Sequence, residues 1–128
     1  MIVLDTSVLI DYFKGENKSF DFVTNSDAAA TVISYHEILS GIKHKKAKKE
    51  EAFYRRFFSN IKILEFGLKA SEESSSIMAR LLSLGKLVNT LDVLIAGIAI
   101  TNGAEKIVSR DKDFLEISKV TGLEIEVY

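Results

Sequence analysis

The chain contains no cysteine, no proline and only two histidines. The missing cysteine excludes disulfides, thiolate metal sites and a cysteine nucleophile. His36 and His44 are too few for a histidine-rich zinc site. Any metal would therefore be held by oxygen ligands, which favours Mg²⁺ or Mn²⁺. No charge-free apolar run approaches the ~20 residues a membrane span needs. The sequence passes straight into Met1-Ile-Val-Leu-Asp5 without a basic leader or cleavage site, so export is not expected and the cytoplasm is the expected compartment. Neither a Gly-x-x-x-x-Gly-Lys-Ser/Thr loop nor a Gly-x-Gly-x-x-Gly fingerprint occurs, which argues against nucleotide binding of those kinds. A net charge of −1 makes the chain as a whole no basic nucleic-acid binder.

What remains is an ordinary globular balance, 47% hydrophobic and 27% charged over 128 residues, suited to one domain spanning 1–128. Short β-favouring runs are expected as strands at Ile2 to Leu4, Ala28 to Ile33, Ile61 to Phe66, Ile107 to Val108 and Leu123 to Val127. Helical spacing marks Thr6 to Lys14, Ala70 to Leu84 and Leu91 to Thr101, the last capped by Asn89-Thr90. A short helix or ordered loop is expected around Phe20 to Val23, and a turn of helix at Lys112 to Leu115. Ser34-Tyr-His-Glu37 has the Ser-x-x-Glu form of a capping box and predicts a helix starting at Ser34. Strands alternating with helices predict a parallel sheet covered on both faces.

Four carboxylates, Asp5, Glu37, Asp92 and Asp111, each stand where an apolar run gives way to a new element. Every one has an ordinary structural explanation. Asp5 suits an N-cap, Glu37 the capping box, Asp92 the first turn of a helix, and Asp111 with Asp113 a polar loop. Together they predict more. Strand ends of one parallel sheet share an edge, and that edge is where open α/β folds bind ligands. Anions gathered there repel each other unless a cation sits among them.

Lys43, Lys45, Lys46, Lys48 and Lys49 fall within seven positions. Such a run is either a solvated helix face or a local phosphate-binding patch. It is expected to begin the helix that carries Phe53, Tyr54, Phe57 and Phe58.

The chain resembles the PIN domain family, and within it the VapC-type toxin ribonucleases of toxin–antitoxin pairs. The resemblance is carried by Ile2-Val-Leu-Asp-Thr-Ser-Val-Leu-Ile-Asp-Tyr-Phe13, Ser34-Tyr-His-Glu-Ile-Leu-Ser-Gly41, Asn89-Thr-Leu-Asp-Val-Leu-Ile-Ala96 and Ile107-Val-Ser-Arg-Asp-Lys-Asp-Phe114. It implies a PIN-like three-layer α/β/α sandwich with a central parallel sheet of about five strands flanked by helices. It further implies that Asp5, Glu37, Asp92 and Asp111 are catalytic and hold Mg²⁺ or Mn²⁺, that Asp113 adds to the metal site, and that Ser7 and Ser109 support it. Ser109 stands where the family usually has Thr. The implied activity is endonucleolytic hydrolysis of RNA by metal-activated water. The implied partners are a VapB-type antitoxin and a second copy of the chain, with the lysine run as an RNA-backbone track. Phe53, Tyr54, Phe57 and Phe58, with Ile77, Met78, Leu81 and Leu82, are expected mainly in the core, or lining an antitoxin groove or dimer contact.

Rival classes fit less well. A haloacid-dehalogenase-type phosphatase needs a second Asp where Ser7 stands. A receiver domain needs a phosphoacceptor Asp after a mid-chain strand, where only Glu50 and Glu51 occur. A PIN nuclease of RNA processing or maturation without an antitoxin, and a PIN module that binds without cutting, remain alternatives.

Overall fold

The computed structural model describes all of residues 1–128, in the order β1 (Ile2–Leu4), α1 (Thr6–Phe13), α2 (Asn17–Val23), β2 (Ala28–Thr31), α3 (Val32–Lys45), α4 (Lys48–Ser59), β3 (Lys62–Leu64), α5 (Leu68–Ser83), α6 (Thr90–Thr101), β4 (Lys106–Ser109), α7 (Phe114–Thr121) and β5 (Glu124–Val127). The five strands form one sheet in the order β3-β2-β1-β4-β5, and every neighbouring pair is parallel. Successive strand residues face opposite sides, so the sheet supplies two cores. Val3, Ala29, Leu64 and Ile107 pack under α5, α6 and α7. Ile2, Leu4, Ala30 and Val108 pack under α1, α3 and α4. The result is the three-layer α/β/α sandwich expected from the alternating pattern. No helix is long and apolar enough to cross a membrane.

The chain starts in the middle of its sheet. From β1 it winds outward to β2 and β3, then returns to the other side of β1 for β4 and β5. The strand order therefore reverses between β1 and β4, a topological switch point, and the crevice for a ligand opens at the carboxyl ends of these two strands.

Most boundaries shift by one to three residues, and three of the differences bear on the site. Helix α3 starts at Val32 rather than Ser34, with Thr31 as its N-cap accepting the Ser34 N–H at 3.3 Å. Glu37 is thereby displaced from the capping position and its side chain is left for another partner. The lysine run does not simply open a helix. Lys43 and Lys45 close α3, Lys46 turns the corner at φ 56°, and Lys48 and Lys49 open α4. Cations in a last helical turn are favoured by the helix dipole, which suits Lys43 and Lys45. The turn of helix expected at Lys112 to Leu115 is an eight-residue helix that begins later, at Phe114, and buries Phe114 and Ile117.

Helices α5 and α6 approach closely enough that a side chain at Gly97 has no room. A Cβ there would lie 2.8 Å from the Ala70 carbonyl oxygen and 2.8 Å from the Ser74 Cβ. Glycine is needed at this crossing for space, not for its backbone angles.

A candidate metal centre at the switch point

Asp5 sits directly after β1 and caps α1, so the capping explanation and the functional one apply to the same side chain. It is 4% exposed. Its Oδ2 accepts bonds from the Ser7 hydroxyl at 2.8 Å, the Ser109 hydroxyl at 2.8 Å and, at 3.4 Å, the Ser7 N–H. No protein group bonds Oδ1, and no buried side-chain oxygen lacks a partner, so Oδ1 is the oxygen presented to solvent.

The two serines do a second job. Each gives its only proton to Asp5, so each is free to accept. Ser7 Oγ takes the Arg110 N–H at 3.1 Å, and Ser109 Oγ takes the Asp111 N–H at 2.9 Å. The loop after β4 is thus tied to the residue after β1 through two hydroxyls. The 3.4 Å approach of the two serine oxygens carries no proton in this arrangement. In the same loop, Asp111 Oδ1 accepts the Asp113 N–H at 2.9 Å.

Glu37 is connected from the other side. Thr6 donates to Glu37 Oε1 at 2.8 Å and stands 2.8 Å from the Ser34 hydroxyl. Because the Thr6 proton goes to Glu37, Ser34 is the donor to Thr6. This buried hydroxyl chain joins α1 to α3 and fixes one oxygen of Glu37. The sequence marks Ser34 only as a helix cap and Thr6 only as the start of a helix, and neither as part of the site. The available signal was a small hydroxyl residue beside each acid: Thr6 and Ser7 after Asp5, Ser34 one turn before Glu37, Ser109 before Asp111.

Asp92 occupies the first turn of α6, whose cap is Asn89 accepting the Leu91 N–H at 2.9 Å. The far end of this helix leads to the amino edge of the sheet, where the Glu105 N–H bonds the Met1 carbonyl. The first turn therefore lies toward the carboxyl edge. Asp92 has no hydrogen-bond donor of its own. Burial pushes its carboxyl up to about 7, and the charges of Asp5, Asp111, Glu37 and Asp113 push in the same direction, in that order. That convergence brings together acids from four separate segments of the chain. Asp113 is exposed and its charge acts least on Asp92, which places it at the rim.

The donor set fits a hard divalent cation in chemistry: oxygen ligands only, excess negative charge, and outward oxygens on Asp5, Glu37 and Asp111 beside those already fixed. The spacing is looser, since no three acidic or histidine side chains are drawn together tightly enough to enclose an ion. A bound cation would have to draw the carboxylates inward.

Of the lysine run, Lys45 shares a groove with Glu37. This groove of about 270 Å³ lies between α1, α3 and α4, with Ile10, Phe13 and Tyr54 on its walls. Lys43, Lys46, Lys48 and Lys49 do not line it, although all are exposed. The apolar residues divide as their packing dictates. Phe58, Ile77 and Leu81 are core, Tyr54, Phe57 and Met78 are partly buried, and Phe53 and Leu82 are exposed at 52% and 60%.

Comparison with known proteins agrees with this architecture. The fold superposes on VapBC2 from Rickettsia felis, solved bound to a DNA fragment from its promoter, with a TM-score of 0.85 at 22% identity, covering 100% of this chain and 99% of that one. DNA-bound VapBC from Salmonella typhimurium gives 0.83 at 24% identity, covering 98% and 96%. VapBC-5 from Mycobacterium tuberculosis gives 0.73 at 19%, covering 98% and 97%. At such identities these likenesses establish the fold. An uncharacterised protein of Archaeoglobus fulgidus is 43% identical over 42 residues, 32% of this chain and 79% of that one. The family model described as PIN domain matches residues 2–120, a span that includes every acid at the switch point, and the chain accordingly belongs to the PIN domain family.

Proposed function

We propose that this chain is a Mg²⁺- or Mn²⁺-dependent endoribonuclease acting as the toxin of a type II toxin–antitoxin pair, with a VapB-type antitoxin as partner and the cytoplasm as its place of action. The observation that carries the nuclease reading is the gathering of Asp5, Glu37, Asp92 and Asp111 from four segments at the carboxyl edge of the sheet, where burial first and then the charges of the other acids raise the Asp92 carboxyl. PIN nucleases generally use divalent metal ions. The toxin reading is supported by the nearly full-length likeness to chains of VapBC complexes.

Asp5, Glu37, Asp92 and Asp111 would hold the cation, with Asp113 at the rim. When bound, it supplies Lewis-acid chemistry, making water nucleophilic at neutral pH and neutralising charge on the phosphodiester. The protein's own part is positional. Ser7 and Ser109 fix Asp5 Oδ2 and leave Oδ1 facing outward, and Thr6 does the same for Glu37. With its carboxyl raised to about 7, Asp92 is partly protonated near neutral pH, and a cation bound there would favour the ionised form and displace that proton. A homodimer is supported by Leu82, Leu84 and Leu87, exposed at 60%, 61% and 93%, an apolar stretch that a second copy would cover.

The test is cleavage of single-stranded RNA by purified chain with Mg²⁺ or Mn²⁺, with and without EDTA, and by Asp5→Asn and Asp92→Asn variants. Metal-dependent cutting that both variants lose supports the site. Undiminished cutting by either variant would remove that residue from it. Suppression of the activity by the product of an adjacent small gene tests the toxin role.

A further inference from the structure

Around the end of α1 from the Glu37 groove lies a second cleft, of about 590 Å³, built from Asp11, Lys14, Asn17, Lys18, Arg110 and Tyr128. Glu16 also lies on its wall. Its volume falls within the ~300–1,000 Å³ usual for ligand sites. Arg110 and Tyr128 follow the carboxyl ends of β4 and β5, so this cleft opens on the same edge of the sheet as the acids.

Its charge is arranged unevenly. Asp11 is buried at 8% exposure, and its Oδ2 accepts both the Arg110 Nε–H at 2.9 Å and the Tyr128 hydroxyl at 2.7 Å. The acid is thus balanced inside the protein. Arg110 uses only Nε for this contact, and its side chain is 55% exposed, leaving both terminal amino groups toward the cleft and solvent. Lys14 and Lys18 enter no ion pair at all. The cleft therefore offers a half-anchored guanidinium and two uncommitted ammonium groups, against the one unpaired carboxylate of Glu16. That combination suits phosphate oxygens, which a guanidinium fork can bind in pairs.

Arg110 also belongs to the loop of the acid centre. Its own N–H bonds Ser7 Oγ, which in turn bonds Asp5, and its sequence neighbours are Ser109 and Asp111. We propose that this cleft is a phosphate-anchoring subsite for the RNA strand, in which Arg110, Lys14 and Lys18 hold backbone phosphates flanking the bond to be cut. The inference rests on the ribonuclease reading above and extends it to substrate positioning. Asp11 and Tyr128 act through Arg110: they aim the guanidinium and do not themselves touch the strand. Lys14 also lines the Glu37 groove, so it stands where the two clefts meet around the end of α1.

The experiment is steady-state cleavage of a short single-stranded RNA by the full chain over a range of salt concentrations. Lys18→Gln and the Lys14→Gln/Lys18→Gln pair remove exposed cations with no protein partner, so folding is not at stake. The pair is expected to raise KM about tenfold or more with kcat within about twofold, and to reduce the slope of log(kcat/KM) against log salt by ~0.7 for each phosphate no longer held. Arg110→Gln should act in the same way, with Arg110→Lys recovering part of the loss. A second readout uses RNA with single uncharged methylphosphonate linkages. In wild type, neutralising the flanking linkage should cost about as much as the lysine substitutions, and in the lysine pair it should cost little more. If wild type cuts RNA but the pair leaves KM, salt slope and linkage sensitivity unchanged, or lowers kcat alone, the subsite is overturned while the nuclease reading stands. If wild type cuts no RNA with either metal, both fall together.

Discussion

Helix α1 carries two buried aspartates, one at its N-cap and one within it, that the protein treats in opposite ways. Asp5, at its N-cap, is held by hydroxyls and an amide, all neutral, and all on one oxygen. Asp11, two turns along, is held by a guanidinium and a phenol. Both are satisfied as hydrogen-bond acceptors, but only Asp11 has its charge cancelled. A buried carboxylate paired with arginine is a structural tie. One surrounded by neutral donors and further acids keeps a charge that only an outside cation can balance. The difference in partners, more than the degree of burial, is what sets Asp5 apart from Asp11 and supports the role proposed for it.

The sharpest way to break this contrast is to remove each charge in turn. Asp5→Asn should lower metal-dependent cleavage by about a thousandfold or more while leaving the thermal midpoint of the metal-free protein unchanged or raised, because a repelling charge is gone. Asp11→Ala should instead appear first in stability, at about 2–3 kcal/mol, since it deletes two bonds at a buried carboxylate and frees Arg110 and Tyr128. Equal midpoints for the two variants in chemical denaturation would erase the distinction. Gly97→Ala provides a lesion with no charge at all. Its new methyl group meets the Ala70 carbonyl at 2.8 Å, and overpacking of this kind should cost about 1–3 kcal/mol, measurable by urea unfolding.

A smaller effect follows from Asp92. Folded, it keeps its proton up to about pH 7, whereas its ordinary value is 3.8. The folded state then binds more protons than the unfolded one between these limits, so metal-free stability should fall as pH rises from about 4 to about 7. Because the side chain remains partly solvated, the loss should be on the order of 1–2 kcal/mol, well below the full shift. Asp92→Asn should flatten the slope, and millimolar Mg²⁺ should reduce it. A metal-free protein equally stable at pH 4.5 and 7.5 would show that folding does not raise the Asp92 carboxyl. The smallest effect belongs to the lysine run. Reversing Lys45, Lys46, Lys48 and Lys49 to glutamate should weaken RNA binding and flatten its salt dependence, and an unchanged slope would return these residues to a solvated turn.

The alternation of strand and helix was legible because each strand is a short apolar run followed by a residue suited to starting a helix. The acids at Asp5 and Asp92 were legible for the same reason. Glu37 was half legible. Its position suggested function, but Ser34-Tyr-His-Glu37 matched a capping box so well that the true cap, Thr31, was hidden within the apparent strand Ala28 to Ile33. Thr31 fits both roles, being β-branched and also a hydroxyl acceptor. The break within the lysine run was not legible, since no glycine marks it and Lys46 itself adopts the left-handed turn. The Asp11–Arg110–Tyr128 cluster lay beyond reach because its partners are 99 and 117 residues apart and share no local pattern.

The bond between Ser109 and Asp5 joins residues 104 positions apart, across the one pair of strands where the sheet reverses its winding. Translation delivers these partners at opposite ends of the job. The chain emerging from the ribosome carries Asp5, Glu37 and Asp92 long before β4 arrives to set Ser109 and Asp111 beside them. A central first strand waiting for its late neighbour leaves the centre unfinished through most of synthesis. For a protein proposed to cut RNA, this order of winding would act as a delay fuse, since the acids of the centre would not stand together until most of the message had been read.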